Sequence, residues 1–389
     1  MILDLVIEVL KGIGKLFANP LLYIAILFSV LIGYRRVKAE RKSFNTRIHW
    51  GLTELLMLLK EGWLPSIILS VIAIAAGIVL PMEYIVLVTI ISILCVVIFY
   101  YHFSSAVYPL GIAFLILWFT YTNDWSWHFW QWDFNTSTMH IDLLMSIPLL
   151  IGILLIVEGM LVKRHAANLA SPRLQKTGRG LNAVTFLSKR LWVLPVFFLV
   201  PGETIHNFLP YWPLFSLGSE SYGLILLPIV IGFQQRARKM LPAHFYPQIG
   251  KTIILLGVLV IVEGLLAFFY PLIGIASIIV AIVGRALISI IYSIGERKGK
   301  FAVSLKNEGV VIAAVLSNSP AEAMGLRIGE VIRKVNGEEV HTEAELYEAL
   351  QRNAAHCKLE VLDTDGEVRL RQHVIFNHDH FRIGLLIVK

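Results

Sequence analysis

Charged side chains are scarce in this chain of 389 residues. Asp, Glu, Lys and Arg make up 16% of it, against about 25% in soluble domains. Apolar residues reach 57% and mean hydropathy is +0.71. That excludes the row of two or three soluble domains that length alone would suggest; the chain reads as an integral membrane protein. Cysteine is nearly absent. Cys95 and Cys357, far apart, exclude a disulfide framework and a cysteine-built metal site. Catalytic signatures are missing too: there is no His-Glu-x-x-His zinc motif and no Gly-x-Ser-x-Gly nucleophile elbow. Gly250-Lys251-Thr252 has the tail of a phosphate-binding loop, but Phe245 stands where its first glycine should be. Glu203-x-x-His206 has metal-pair spacing without a third ligand, and the cluster His373, His378, Asp379, His380 reads as a solvated turn. No enzyme activity, cofactor or metal is implied.

The net charge of +7 would suit a nucleic-acid partner, but its distribution excludes one. Residues 1–300 hold 24 basic against 14 acidic side chains, and residues 301–389 hold 10 against 13. The basic excess belongs to the apolar part. About 20 apolar residues cross a hydrocarbon core, and nine stretches qualify: 16–33, 64–80, 84–101, 106–121, 143–162, 191–212, 221–235, 250–269 and 272–294. Two are weak. The stretch 191–212 contains Pro195, Pro201 and Pro210, and 221–235 is short with Pro228, so the two can also form one broken hairpin.

Positive charges fall in four clusters: residues 35–60, 163–190, 236–251 and 297–300. The alternate connections 81–83, 122–142, 201–221 and 270–271 have no Lys or Arg. Alternation puts all four clusters and the C-terminal tail on one side, expected to be cytoplasmic. Residues 1–18, with Asp4, Glu8, Lys11 and Lys15 at helical spacing, read as an amphipathic interfacial helix rather than a signal peptide. Trp125, Trp127, Trp130 and Trp132 fit an aromatic belt on the opposite side, or a docking surface there. Within the spans, Glu158, Glu263 and Arg285 are candidate functional or structural groups, because intramembrane charges are costly. Counting from the cytoplasmic span ends puts Glu263 and Arg285 at roughly 20 and 14 Å depth, close enough for a pair.

After the charged linker 295–300 the composition changes. Residues 309–316 read as a buried strand, Asn336-Gly337 as a tight turn, and Thr342 with Glu345 as a capping box opening a helix over 343–352. Strands over 358–362 and 367–374 follow. The string Ser319-Pro320-Ala321, Gly325-Leu326, Gly329-Glu330-Val331-Ile332, Val335-Asn336-Gly337 resembles the PDZ domains of bacteria. The expected fold class is therefore an α-helical polytopic membrane domain (19–295, after the helix 1–18) followed by a small α+β PDZ domain (301–389). The resemblance implies peptide capture by strand addition. Its carboxylate nest would be Phe301-Ala302-Val303, and its groove would be walled by Val303, Leu305, Leu346 and Leu350. Ala302 stands where glycine is usual and Glu330 where Asp is usual. Ile383-Gly384-Leu385 also has the nest pattern, but lies at the other end of the domain.

The whole arrangement, including the juxtamembrane stretch from Ile32 to Phe44, resembles the MinJ family of polytopic PDZ proteins in the division-site selection system of Gram-positive rods. That resemblance implies a scaffold at poles and septum bridging a DivIVA-like and a MinD-like partner, besides contact with membrane lipids. It leaves oligomeric state open, a homo-oligomer included. Two readings from other classes stay open on the residues alone: a PDZ adaptor of a membrane protease, and a transporter with a regulatory PDZ domain.

Overall fold

The computed structural model describes residues 2–101, 104–129, 132–134, 140–206, 212–218, 221–352, 356–374 and 383–388. Trp130, Pro210, His378, Asp379 and His380 lie outside them. Helix α1 (Ile2–Ala18) leads into α2 (Pro20–Phe44), which Asn19 caps by accepting the Leu21 N–H at 2.9 Å. Then come α3 (Thr53–Lys60), α4 (Trp63–Ala75), α5 (Met82–Val97) and α6 (Val107–Thr122). A small ribbon, β1 (Trp127–Phe129) and β2 (Trp132–Phe134), precedes α7 (Leu143–His165). β3 (Ser171–Lys176), β4 (Asn182–His206) and β5 (Ser221–Ala237) follow, then α8 (Pro242–Leu266) and α9 (Leu272–Arg297). The C-terminal part consists of β6 (Val303–Ser304), β7 (Val310–Val315), α10 (Pro320–Ala323), β8 (Val331–Val335), β9 (Glu338–Glu339), α11 (Glu343–Arg352), β10 (His356–Leu362), β11 (Val368–Val374) and β12 (Leu385–Ile387).

Five helical segments among the described residues are long and apolar enough to cross a membrane: α2, α3 with α4, α7, α8 and α9. α5 and α6 are shorter. Leu255, Val258, Leu259, Val262 and Leu266 on α8, and Ile279, Val283, Leu287 and Ile290 on α9, are all exposed. They recur at three- and four-residue steps, an apolar stripe that water would not tolerate. Helix α7 is the buried centre. It meets α8 backbone to backbone through glycines seven apart. A Cβ on Gly159 would lie 2.6 Å from the Gly250 carbonyl oxygen, and one on Gly257 would lie 2.8 Å from that of Gly152. Small residues at this spacing let membrane helices approach closely.

The stretches 191–212 and 221–235 are not helical spans. They belong to β4 and β5, one long antiparallel hairpin threaded through the helical unit. Seventeen residues of β5 reach about 55 Å, more than a hydrocarbon core, and nearly all are buried. A strand edge facing lipid would leave main-chain groups unpaired, so the helical unit closes the edges. Glu8 Oε1 accepts the Leu224 N–H at 3.2 Å, Ser70 Oγ that of Phe197 at 3.0 Å, and the Ser104 carbonyl that of Gly232 at 2.7 Å. Leu80 N donates to the Leu199 carbonyl at 2.9 Å.

The parity of these bonds explains the prolines that weakened a helical reading. Phe197 and Leu199 point their N–H outward on β4, as Leu224 and Gly232 do on β5. Pro195 and Pro201, and Pro228 opposite Pro195, share those outward positions. Each proline thus removes a donor that the edge would otherwise have to satisfy. Glu8, read in the sequence as part of a polar helix face, is turned into the hairpin and buried.

At one end of the hairpin β3 and β6 extend it to four strands, β6 pairing Val303 with Val184 and Ser304 with Ala183. The PDZ sheet runs β11-β10-β8-β7-β12, with β9 on β8. Its strand β7 is buried on both faces. Val310 and Ile312 pack beneath α11, while Val311 and Ala313 join the core of the helical unit. The capping box forms as the sequence indicates: Thr342 Oγ1 accepts Glu345 N at 3.3 Å and Glu345 returns to His341 N at 2.8 Å.

The glycine contact between α7 and α8 yields a test. Gly159→Leu should cost about 1–3 kcal/mol or more through overpacking, read as earlier thermal unfolding in detergent. Gly295→Leu, whose added Cβ meets nothing within 4 Å, should leave the transition in place. Equal behaviour of the two variants would remove the close helix contact.

Candidate functional site

Two candidate places stand out among the described residues. The first is the PDZ domain. Its local geometry follows the motif: Ser319 caps α10 by accepting Glu322 N at 3.3 Å, and Asn336 and Gly337 both take positive φ. Buried Glu330 accepts the Arg327 N–H at 2.9 Å. Burial pushes its carboxyl above the usual carboxylate range, and the Arg327 bond works against that rise.

The structure places the residues that the sequence suggests for a groove elsewhere. Leu346 and Leu350 are 0% and 4% exposed, on the inner face of α11 with Val335 and Leu359; they are core, not groove lining. Phe301, Ala302, Val303 and Leu305 do not border α11. Ala302 N donates to the Arg238 carbonyl at 2.9 Å, and Leu305 N donates to that of Asn182 at 3.3 Å. Phe301 lies under the Arg238 guanidinium at 4.0 Å. The free edge of β4 captures this segment, so the strand beside β7 has to come from elsewhere.

β12 supplies it. Leu385 pairs with Val315 and Leu386 with Ala314, antiparallel, at the end of the sheet. The preceding turn, Ile383 at φ 47° and Gly384 at φ 81°, has positive φ at two successive residues, as the central pair of a type I′ turn has. A Cβ on Gly384 would meet Ser319 Cβ at 2.2 Å, so only glycine fits. Gly384 directs its carbonyl to Leu316 N on the β7 side. By strand alternation Leu385 and Ile387 turn their main-chain groups the other way. Tyr347 of α11 reaches over that edge, its hydroxyl 3.5 Å from the Leu385 carbonyl. The Ile383-Gly384-Leu385 pattern was visible in the sequence, but the order of the chain hid its place.

The second place is a polar chain inside the helical unit. Arg285 and Glu158 are each 1% exposed. Arg285 Nε and Nη2 lie 2.8 and 2.7 Å from Glu158 Oε1, and Nη1 donates to Ser289 Oγ at 2.5 Å. Ser105 donates to the other Glu158 oxygen. Gln235 of β5 donates to the Ser289 carbonyl at 2.9 Å, tying the hairpin in. Glu263, expected to pair with Arg285, does not. α8 begins at Pro242 rather than near 250, so from the ends at Pro242 and Arg297 the two residues differ in depth by about nine residues, roughly 14 Å.

Further polar contacts went unread. Glu61, at the break between α3 and α4, accepts from Trp192 Nε1 at 2.6 Å and pairs with buried Arg190 of β4. Arg36 is held by Glu54 at 2.5 Å and Glu40 at 2.9 Å. The Glu203–His206 spacing lies on a strand rather than on one helical turn. Among the described residues no group of three or more His, Cys, Asp or Glu could hold a metal ion.

These features define a membrane protein with a helical unit, an enclosed β-hairpin and a C-terminal PDZ domain. The PDZ domain family matches residues 311–363, a segment that ends before β12. Across the whole length the chain is 32% identical to the cell division topological determinant MinJ of Bacillus subtilis (strain 168), covering 98% of this chain and 96% of that protein. Probable MinJ proteins of Lacticaseibacillus paracasei and Lacticaseibacillus casei (strain BD-II) are 26% identical over 59% of this chain and 68% of theirs. The chain belongs to the MinJ family.

Glu158→Gln should destabilise the protein by about 3–5 kcal/mol, because Arg285 would be left buried without its counter-charge. Glu263→Gln should change stability by under about 1 kcal/mol. Denaturation in detergent compares them, and equal losses would contradict the assignment of Glu158 as the partner of Arg285.

Proposed function

We propose that this protein is a membrane-anchored, non-enzymatic scaffold of division-site selection. The observation that carries this reading is the identity with Bacillus subtilis MinJ, which runs through both the helical unit and the PDZ domain. In this reading residues 1–18 line the membrane interface, 19–295 anchor the protein by several crossings, and 301–389 present a PDZ groove in the cytoplasm. The protein links a DivIVA-like polar protein to a MinD-like membrane ATPase at poles and septum, so that septa form away from the poles. Glu158 and Arg285 neutralise each other, which favours structural fastening over ion transport.

The arrangement of the ends supports the sidedness. Glu61, with His165 at 3.5 Å and Arg190, gathers beside the basic clusters. Asp142 accepts Leu217 N at 2.9 Å and Phe215 packs on Phe268 at the opposite end, among the connections free of Lys and Arg. Trp125 is exposed against Phe119 there. Cys95 and Cys357 are buried, which suits single-cysteine labelling. A cysteine at Trp125 should react with a membrane-impermeant maleimide on intact cells, and one at Gly178 only after permeabilisation. The reverse pattern would invert the topology.

A peptide strand added to β12 would bond to Leu385 and Ile387 and run beneath Tyr347. Tyr347→Glu places a carboxylate over that edge; Tyr347 is only partly buried at the margin of the core, and the buried Leu346 and Leu350 are kept. Partner recruitment should weaken at least tenfold while protein levels hold, with misplaced septa or filaments in a rod-shaped host. Removal of residues 306–389 should do the same. Normal recruitment and division with both variants would move the working surface to the cytoplasmic connections.

A further inference from the structure

Where α2 leaves the apolar zone, the cytoplasmic ends of α2, β3, β4 and β5 enclose a cavity of about 470 Å³. Its walls are one-signed. α2 brings Arg35, Lys38 and Lys42, and the strands bring Arg173, Lys189 and Arg236. No lining residue is acidic. The nearest carboxylates, Glu40 and Glu54, are already engaged with Arg36. Lys189 is the most committed of the strand cations, donating to the Phe99 carbonyl at 2.7 Å.

Three buried polar atoms of residues lining the cavity have no partner among the described residues: the Arg173 Nε donor, the Ser171 hydroxyl and the Gln234 Oε1 acceptor. Burial first, and the Arg236 charge second, hold Arg173 below the ordinary arginine range. Like charges gathered out of water repel unless an anion joins them. The remaining wall is apolar: Ile32, Phe99, Leu169 and Leu187. Just before it, α2 exposes Tyr23 and Leu27.

We propose that this cavity binds the headgroup of an anionic phospholipid that carries a hydroxyl, of the phosphatidylglycerol type. The phosphate sits among Arg35, Arg173 and Arg236, where planar guanidinium groups bind its oxygens in pairs. A headgroup hydroxyl meets the orphan acceptor of Gln234. The acyl chains leave along Ile32 and the apolar flank of α2. A basic pocket between membrane elements on the cytoplasmic side suits such a headgroup, and the mixed wall favours a lipid over a soluble anion, which would leave the apolar flank without a partner. This assignment takes only its depth from the membrane placement proposed above.

The full-length protein in detergent, titrated with phosphatidylglycerol, should unfold at higher temperature, and phosphatidylcholine should have no such effect. Arg173→Gln with Arg236→Gln should lose at least half of the shift. Lys298→Gln with Lys300→Gln, exposed in the linker, should keep all of it. Mixed micelles have no sides, so this result is independent of the labelling result. Equal stabilisation by phosphatidylcholine, by inorganic phosphate or by a glutamate-rich peptide would overturn the proposal. So would an unchanged response of the double variant. Should that variant fail to fold, phosphatidylglycerol with a photoreactive headgroup decides on the wild-type protein. Crosslinks should map to residues 35–42, 171–173 or 234–236, and crosslinks confined to other segments would overturn it.

Discussion

A strand inside an apolar medium cannot leave its edges to solvent, and most of this molecule is arranged around that constraint. Each unpaired main-chain group buried away from water costs several kcal/mol. The β4–β5 hairpin satisfies one edge of each strand internally and leaves two outer edges to its surroundings. Glu8 from the first helix, Ser70 from α4 and Ser104 before α6 each meet one outward group, and residues 78–80 meet both the N–H and the carbonyl of Leu199. Four separate segments of the chain are thereby committed to positions along the hairpin. The prolines do the complementary job of deleting donors. Such a structure does not contradict the rule that only helices and closed barrels face lipid, because the hairpin faces protein.

Around this axis the helices are held by two devices of different character. Glycine contacts between α7 and α8 set distance, since main chains meet with no side chain between them. The polar chain from Ser105 through Glu158 and Arg285 to Ser289 and Gln235 sets depth. A buried ion pair gives little net stability relative to a well-packed apolar replacement. Its value here is selectivity, because sliding α9 by one turn against α7 would strand both charges.

Much of this was legible in the sequence: the membrane class from composition, and the PDZ unit from its glycine, turn and capping positions. The hairpin was not. An apolar run such as residues 191–200 has no polar residues to reveal a period, so length decides between strand and helix, and the stretch 191–212 that contains it has the length of a helical span. The prolines signalled trouble without naming the alternative. The pairing of Arg285 failed for a local reason: His244, Gln248 and Lys251 make the start of α8 look like a connection, which shifted the depth of Glu263. The groove failed for a topological one. Residues 301–305 and 383–387 compete for the place beside β7, and the choice depends on the edge of β4, which no local pattern reveals.

The two-residue strand β6 has a consequence out of proportion to its length. By pairing with Ala183 and Val184 it continues the hairpin sheet into the linker of the PDZ domain, and Val311, Ala313 and Val331 seal that junction. A domain on a flexible tether samples many orientations and binds a surface-attached partner with an effective concentration set by tether length. Here β6 and the shared core hold the PDZ sheet in one orientation against the helical unit. In the scaffold reading proposed above, a partner with its own membrane attachment would have to meet both contacts with a single geometry, so that selectivity would come from angle and reach as well as from peptide sequence.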